Sequence, residues 1–274
     1  MILKLEGPLL LAGAGKMGGA LLAGWLERGL SPSDIIIQDP APASDTLESA
    51  LERGVRVETS VGVLPKPPSV IVVAVKPQVM EVVFPLLARL AGPRTMVLSI
   101  AAGKTIASFE RHLAVGAAVV RAMPNTPAAI GRGITVCCAN PHVSAAQRAL
   151  CDQLLAAVGT VAWITDEGQM DAVTAVSGSG PAYVFHLVEA LAAAGEAAGL
   201  APDLAMRLAR ETVSGAGELL HRSDQDAGTL RHNVTSPGGT TAAALAVLMA
   251  DDGLAALMRR AVAAATIRGR ELAK

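Results

Sequence analysis

Gly13-Ala14-Gly15-Lys16-Met17-Gly18 follows the apolar run at residues 8–12 and opens a helix-forming stretch at about 17–28. Glycines at 13, 15 and 18 match G-x-G-x-x-G in the strand-to-helix setting that gives the motif its meaning. The first glycine allows a tight turn, the second lets backbone approach a pyrophosphate, and the third brings helix and strand close together. Ile35-Ile36-Ile37 reads as a second strand running out at Asp39. This places a carboxylate about 20 residues beyond Gly18, the spacing expected of one that accepts hydrogen bonds from the ribose of a dinucleotide. The alternative for Asp39 is a turn residue before Pro40. As a ribose ligand it would repel a 2′-phosphate, and no arginine follows in Pro40-Ala41-Pro42-Ala43-Ser44. The residues therefore lean toward NADH over NADPH, with Lys16 the cation able to compensate.

Beyond this pair of strands, continuous apolar runs at 70–75, 95–100 and 117–120 are followed by 134–138 and 160–164. Runs apolar at every position are what strands covered on both faces look like. Helix-length segments at 78–90 and 144–158 lie between them, and the alternation predicts an α/β, doubly wound parallel sheet with ligand groups on the loops after the strands. Three of those loops are Ala74-Val75-Lys76-Pro77-Gln78, Ser99-Ile100-Ala101-Ala102-Gly103 and Met123-Pro124-Asn125-Thr126-Pro127. They are small and sparsely polar, stiffened where they carry proline, so they can flank a flat ring and offer backbone groups to its carboxamide. Lys76, Gln78 and Asn125 are their strong hydrogen-bonding side chains. Lys76 is open to three roles: general acid, phosphate neutraliser or strand cap.

After Asp166 the pattern becomes helical, at 169–199, 202–221 and 240–270. The expected division is a dinucleotide-binding domain at 1–165 and an all-α domain at 166–274. Val184, Leu187, Val188 and Leu191 mark one apolar helix face, and Gly195 and Gly199 would let another helix approach. About a hundred residues with little sign of a self-contained core are expected to pack against a second copy. Ser177-Gly178-Ser179-Gly180-Pro181-Ala182 interrupts the first helical run, either as a kink or as a hydroxyl-lined wall. Ser236-Pro237-Gly238-Gly239-Thr240-Thr241 precedes the last run. It reads either as an ordinary helix start capped by Thr240 or Thr241, or as a receptor for a small carboxylate built from helix-terminal N–H groups.

The 274 residues are 51% hydrophobic but only 2% aromatic, which suits packed helices and buried strands, and a formal charge of -1 argues against a nucleic-acid partner. Cys137, Cys138 and Cys151 have no metal-ligand or disulfide spacing, so no metal is expected, and adjacent Cys137 and Cys138 read as strand residues in a reducing compartment. Residues 1–11 are apolar but run into the glycine motif rather than a cleavage site, and no membrane span is expected. The expected setting is cytoplasmic.

Taken together, these motifs resemble pyrroline-5-carboxylate reductase. The resemblance rests on residues 13–18, Ala74 to Gln78, Ser99 to Gly103, 121–128, the run from Asp171 to Phe185 that contains Ser177-Gly178-Ser179-Gly180-Pro181-Ala182, and 234–241. It implies a Rossmann-type domain followed by an α-helical dimerisation domain, and reduction of 1-pyrroline-5-carboxylate to L-proline with NADPH or NADH as the last step of proline biosynthesis. It further implies homodimers that often assemble into decamers. By the same resemblance the substrate carboxylate meets Ser236 and the Gly238, Gly239 and Thr240 backbone, while Thr241 contacts the ring nitrogen. The dinucleotide lies on Gly13, Ala14, Gly15, Lys16, Met17 and Gly18, on Ala74, Val75, Lys76 and Pro77, and on Ala101 and Ala102. Asn125 and Asn233 are placed near it, and Asp224 near the substrate. Asp39 departs from the hydroxyl or small polar residue that many members carry.

Hydride transfer to a protonated C=N carbon needs orientation above all. Thr241 is too weak an acid to be a sole proton donor and is expected to position and relay. A β-hydroxyacid-type dehydrogenase is the nearest alternative, but its helix lysine has no counterpart in Pro181-Ala182-Tyr183-Val184-Phe185-His186. A non-catalytic NAD(P)H-sensing regulatory protein is the other.

Overall fold

The computed structural model describes residues 5–60 and 62–272; residues 1–4, Val61 and the last two lie outside them, as does part of the segment read above for a leader sequence. The chain falls into two compact units. One runs to Gly178 and takes back the chain from Thr266, and the other spans Ser179–Ala265.

The first unit is built on one sheet of β1 (Leu9–Ala12), β2 (Ile35–Gln38), β3 (Arg56–Glu58), β4 (Val70–Val73), β5 (Met96–Ser99), β6 (Ala118–Met123), β7 (Gly133–Ala139) and β8 (Gly159–Trp163). Their order is β3-β2-β1-β4-β5-β6-β7-β8. Strands β1 to β6 pair in parallel, so their C-terminal ends share one edge. The strand order reverses at β1, between β2 and β4, and the crevice at such a reversal is where open α/β sheets take ligands.

Helices α1 (Lys16–Glu27), α2 (Ser44–Glu52), α3 (Met80–Ala88), α4 (Ile106–Glu110), α5 (Ala145–Leu155) and α6 (Met170–Val173) belong to the same unit. Leu9 and Leu11 turn to one sheet face with Leu21, Trp25 and Leu154, while Leu10 and Ala12 turn to the other with Phe84 and Phe109. Both faces are covered, which is why these strands are apolar at successive positions. Trp25 donates its indole N–H to the Leu154 carbonyl at 2.8 Å, satisfying the polar edge of a buried ring. Phe84 and Phe109 meet edge to face at 4.8 Å.

Two features depart from the sequence reading. Strand β7 runs antiparallel to β6. The short connection holds a 3-10 turn at Thr126–Ile130 and a left-handed Gly131, too little chain for the helical crossover a parallel partner needs. Strand β3 went unread because Arg56, Val57 and Glu58 form a short edge strand whose charged residues pair with each other at 2.8 Å.

The second unit contains α7 (Gly180–Ala197), α8 (Pro202–Arg222), α9 (Ala227–Asn233), α10 (Thr240–Leu248) and most of α11 (Leu254–Leu272). The expected helix at 169–199 is α6, a π-helical turn at Thr174–Gly178, and α7. The expected helix at 240–270 is α10 and α11, parted around Asp251-Asp252-Gly253. Gly195 does bring α8 close, since a Cβ there would lie 3.3 Å from that of Ala205. Gly199 instead supplies a left-handed turn (φ +100°) after α7, with open space around it. Among the described residues of this unit, the buried apolar side chains are Ala192, Ala205 and Ala209, whereas Phe185 is 65% exposed and Leu187, Leu191, Leu208 and Leu257 are also exposed. Three alanines make no core. Among the described residues, no helix is long and apolar enough to cross a membrane.

Candidate active site

The glycine turn sits at the strand-order reversal. The Gly13 N–H donates to the Gln38 carbonyl at 2.9 Å, and the Ala74 N–H donates to the Ala12 carbonyl at 2.7 Å, so the loops after β1, β2 and β4 are stitched side by side. Gly13 has φ +95°, and a Cβ there would lie 2.7 Å from the Ala74 carbonyl oxygen. A Cβ on Gly18 would collide with the Gly13 carbonyl oxygen. Gly15 is different: no heavy atom lies within 4 Å of its Cβ direction, so that side of the loop is open. Gly15 is also the N-cap of α1, without a side-chain cap, and Lys16 and Met17 form the first turn.

Asp39 is held on both carboxylate oxygens. Oδ2 accepts the Ala14 N–H at 2.7 Å, and Oδ1 accepts the Ala41 N–H at 2.8 Å. The second bond is the Asx turn of the alternative reading; the first ties the carboxylate to the glycine loop 25 residues away in sequence.

The loops after β4, β5 and β6 lie along the same edge. Lys76 is exposed and precedes a 3-10 turn at Pro77–Val79, which its side chain does not cap. Ala101 is buried and its N–H donates to Ser99 Oγ at 3.2 Å, whereas Ala102 is exposed. Asn125 Oδ1 accepts the Ile134 N–H at 2.9 Å, so this carbonyl fixes the entry to β7. Lys104 donates to Glu81 at 2.8 Å and holds the Glu81 carboxyl below its usual range. A carboxyl lowered in this way keeps the pair intact above the ordinary carboxylate pKa and loses it as pH falls through the lowered value.

One pairing here escaped the sequence reading, and one stretch it singled out takes a definite form. Arg121, buried on β6, donates to Glu167 at 2.9 Å. Ser177 Oγ is buried in the π-helical turn without a hydrogen-bond partner, and the adjacent Gly178 would place a Cβ 2.7 Å from the Met123 Cε. π-helical turns within helices frequently mark functional sites, and the glycine-serine run was the available signal. The three cysteines are buried and free. The Cys137 thiol is pushed up by its hydrogen bond with Cys151 and then by burial. No cluster of three or more metal-ligating side chains occurs among the described residues.

In the second unit, Gly239 stands just before α10, and its N–H donates to the Ser236 carbonyl at 3.1 Å. Neither Thr240 nor Thr241 is the N-cap, contrary to the plainer sequence reading; Gly239 is, and no side chain caps the helix. Gly238 is left-handed at φ +70°, which turns the chain into the helix. Thr240 is exposed and Thr241 half-buried. Asn233 Nδ2 donates to Gln225 Oε1 at 3.1 Å, bringing the end of α9 beside the loop of Asp224. Asp224 itself is exposed. The neighbouring carboxylate that organises this loop is Asp226, which caps α9 by accepting from the Thr229 hydroxyl at 2.7 Å and the Thr229 N–H at 3.0 Å. The Thr229 hydroxyl is the main cause of its lowered pKa.

A glycine turn opening at the reversal of a mostly parallel sheet, with a fixed carboxylate at the end of the next strand, places the chain among the Rossmann-type nicotinamide-dependent oxidoreductases. A family model described as pyrroline-5-carboxylate reductase dimerisation matches residues 167–272, and one described as NADP oxidoreductase, coenzyme F420-dependent, matches 9–103. A pyrroline-5-carboxylate reductase of Pseudomonas aeruginosa is 43% identical over 96% of this chain and 95% of its own length. The chain belongs to the pyrroline-5-carboxylate reductase family. Among solved structures, a pyrroline-5-carboxylate reductase from Coxiella burnetii superposes with a TM-score of 0.89 at 35% identity, covering 98% of this chain and 99% of that one. The Plasmodium falciparum pyrroline carboxylate reductase with NADP bound has a TM-score of 0.80 at 28% identity, covering 98% and 99%. The dimerisation match and the coreless helical unit agree that the protein oligomerises.

Proposed function

We propose that the chain reduces 1-pyrroline-5-carboxylate to L-proline with NADH in preference to NADPH. The functional division follows 1–165 for the dinucleotide and 166–274 for substrate and dimerisation, which the family match at 167–272 supports. The dinucleotide site is residues 13–18 with Asp39, Ala74 to Pro77, Ala101, Ala102 and Asn125. The open side of Gly15, with the uncapped first turn of α1 behind it, fits a pyrophosphate. When bound, the dinucleotide supplies the hydride. Asp39 holds its ribose, and the loops after β4 and β5 wall its ring.

The observation that carries the substrate assignment is the start of α10. Gly238 in a left-handed turn and an N-cap without a side chain leave first-turn N–H groups available to a carboxylate. Ser236, Gly238 and Thr240 receive that carboxylate beside Gly239, whose own N–H is held by the Ser236 carbonyl, while Asp224 lies near the ring and Thr241 hydrogen-bonds the ring nitrogen and relays its proton. The test compares 1-pyrroline-5-carboxylate with 1-pyrroline, which lacks the carboxylate. Removing a charge-assisted anchor costs about 1.5–3 kcal/mol per hydrogen bond, so kcat/KM falls by roughly 10- to 150-fold or more. Equal values for the two substrates would remove the receptor.

A homodimer through the helical unit buries Phe185, Leu187 and Leu191, and dimers assemble further into decamers. Light scattering reads this directly, and a monomer at micromolar concentration contradicts it. A cytoplasmic setting suits the three free thiols.

A further inference from the structure

The loop after β5 is fastened at several points, and one fastening comes from a distant part of the sequence. Its start is held by the Ile100 N–H on the Val73 carbonyl at 3.0 Å and by the Ala101 N–H on Ser99 Oγ at 3.2 Å. Gly103 then turns the chain through φ +74°, and Lys104 reaches Glu81 at 2.8 Å. Its far end is Ile106, the first residue of α4. Thr105 caps this helix by accepting the Ser108 N–H, which leaves the Ile106 N–H to be satisfied from elsewhere. Glu167 Oε1 takes it, at 2.9 Å. The same oxygen accepts the Arg121 guanidinium, also at 2.9 Å. Arg121 is 5% exposed and stands opposite Ser99 in the β5–β6 register.

One carboxylate oxygen thus joins a buried cation on the sheet to the end of the loop carrying Ala101 and Ala102. A purely structural ion pair needs only the Arg121 bond. The Ile106 bond is what transmits its position to the loop, because it fixes the backbone at the point where the loop becomes helix.

We infer that Glu167 is a positioning residue for the dinucleotide: with Arg121 behind it, it holds Ala101 and Ala102 in place as the wall of the cofactor site. This rests on the assignment of those two alanines to the dinucleotide made above.

The test is steady-state kinetics of full-length Glu167→Ala, Glu167→Gln and Glu167→Asp, alongside Ala102→Leu at an exposed position. Glu167→Ala is expected to raise the KM for NADH about tenfold, the loss of one charge-assisted hydrogen bond, and to leave the KM for 1-pyrroline-5-carboxylate within about twofold. Glu167→Gln restores most of the NADH affinity, since an amide oxygen still accepts both bonds. Glu167→Asp, one methylene short, does not. A lowered unfolding temperature with both KM values unchanged in Glu167→Ala overturns the inference, as does a Gln variant no better than Ala. If the alanine variant does not fold, the contrast between Gln and Asp decides, and equal NADH KM values for these two overturn it. Ala102→Leu separates the layers. If it fails to raise the NADH KM, the loop assignment is wrong and the inference falls with it. If it raises the KM while the Glu167 variants do not, Glu167 alone is misassigned.

Discussion

Replacing Asp39 with serine is expected to reverse the cofactor preference, lowering kcat/KM for NADH by about 10- to 150-fold and raising it for NADPH. The first figure is the loss of charge-assisted hydrogen bonds to the ribose, about 1.5–3 kcal/mol. Each carboxylate oxygen has about two acceptor positions, and the Ala14 and Ala41 N–H groups take one on each. One position per oxygen remains, enough for the two ribose hydroxyls. The same backbone bonds prevent the carboxylate from swinging aside, so a 2′-phosphate must approach a fixed negative charge at short range. Serine removes that charge and offers a hydroxyl to the phosphate. Specificity constants of wild type and variant with both dinucleotides check this. A wild type that prefers NADPH tenfold or more shows that the pinned carboxylate does not govern the choice.

Removing the hydroxyl of Thr241 is the second severe change. Thr241→Ala is expected to lower kcat roughly 10- to 1000-fold, in the range of other single donors or relays removed from reaction sites, with little change in the KM for 1-pyrroline-5-carboxylate. Thr241 lies in the first turn of α10 and does not cap it, so alanine costs the helix no cap. A fall in kcat with an unchanged unfolding temperature therefore reports on the reaction rather than on folding. Thr241→Ser keeps the hydroxyl and is expected to recover a large part of the rate. Full activity in the alanine variant removes Thr241 from the mechanism.

The sheet was legible because its determinants are local. A strand buried on both faces is apolar at nearly every position, and residues 70–75 and 96–98 announce this without reference to anything else. The glycine turn was legible for the same reason: Gly13 and Gly18 answer steric demands within a few residues or from the adjacent strand. The direction of β7 was not read, because strand ends at 120 and 134 leave room for a short crossover, and only the extension of β6 to Met123 and of β7 back to Gly133 removes it. The split between α10 and α11 likewise stood in Asp251-Asp252-Gly253, outweighed by the alanine-rich helix formers on either side.

What the sequence did not yield are the pairings between distant residues. Arg121 and Glu167 are 46 positions apart, and nothing near either identifies its partner. Asp39 was read as a ribose ligand or a turn residue, and its two oxygens show that the turn and a bond to the glycine loop coexist. In the helical unit, Asp226 rather than Asp224 organises the loop before α9, a distinction set by the reach of Thr229. The lack of a core in the helical unit was legible in its composition, because alanine-rich helices with scattered leucines bury little when packed only on each other.

The decisive measurement is the loss of reduced-nicotinamide absorbance when the purified protein is mixed with NADH and 1-pyrroline-5-carboxylate, run beside NAD⁺ with a 2-hydroxy acid. Rapid oxidation of NADH in the first reaction, with L-proline as product, and no turnover in the second is the predicted result. Turnover of the hydroxy acid alone points to a β-hydroxyacid-type dehydrogenase, and dinucleotide binding without turnover in either reaction points to a sensor; both contradict the assignment.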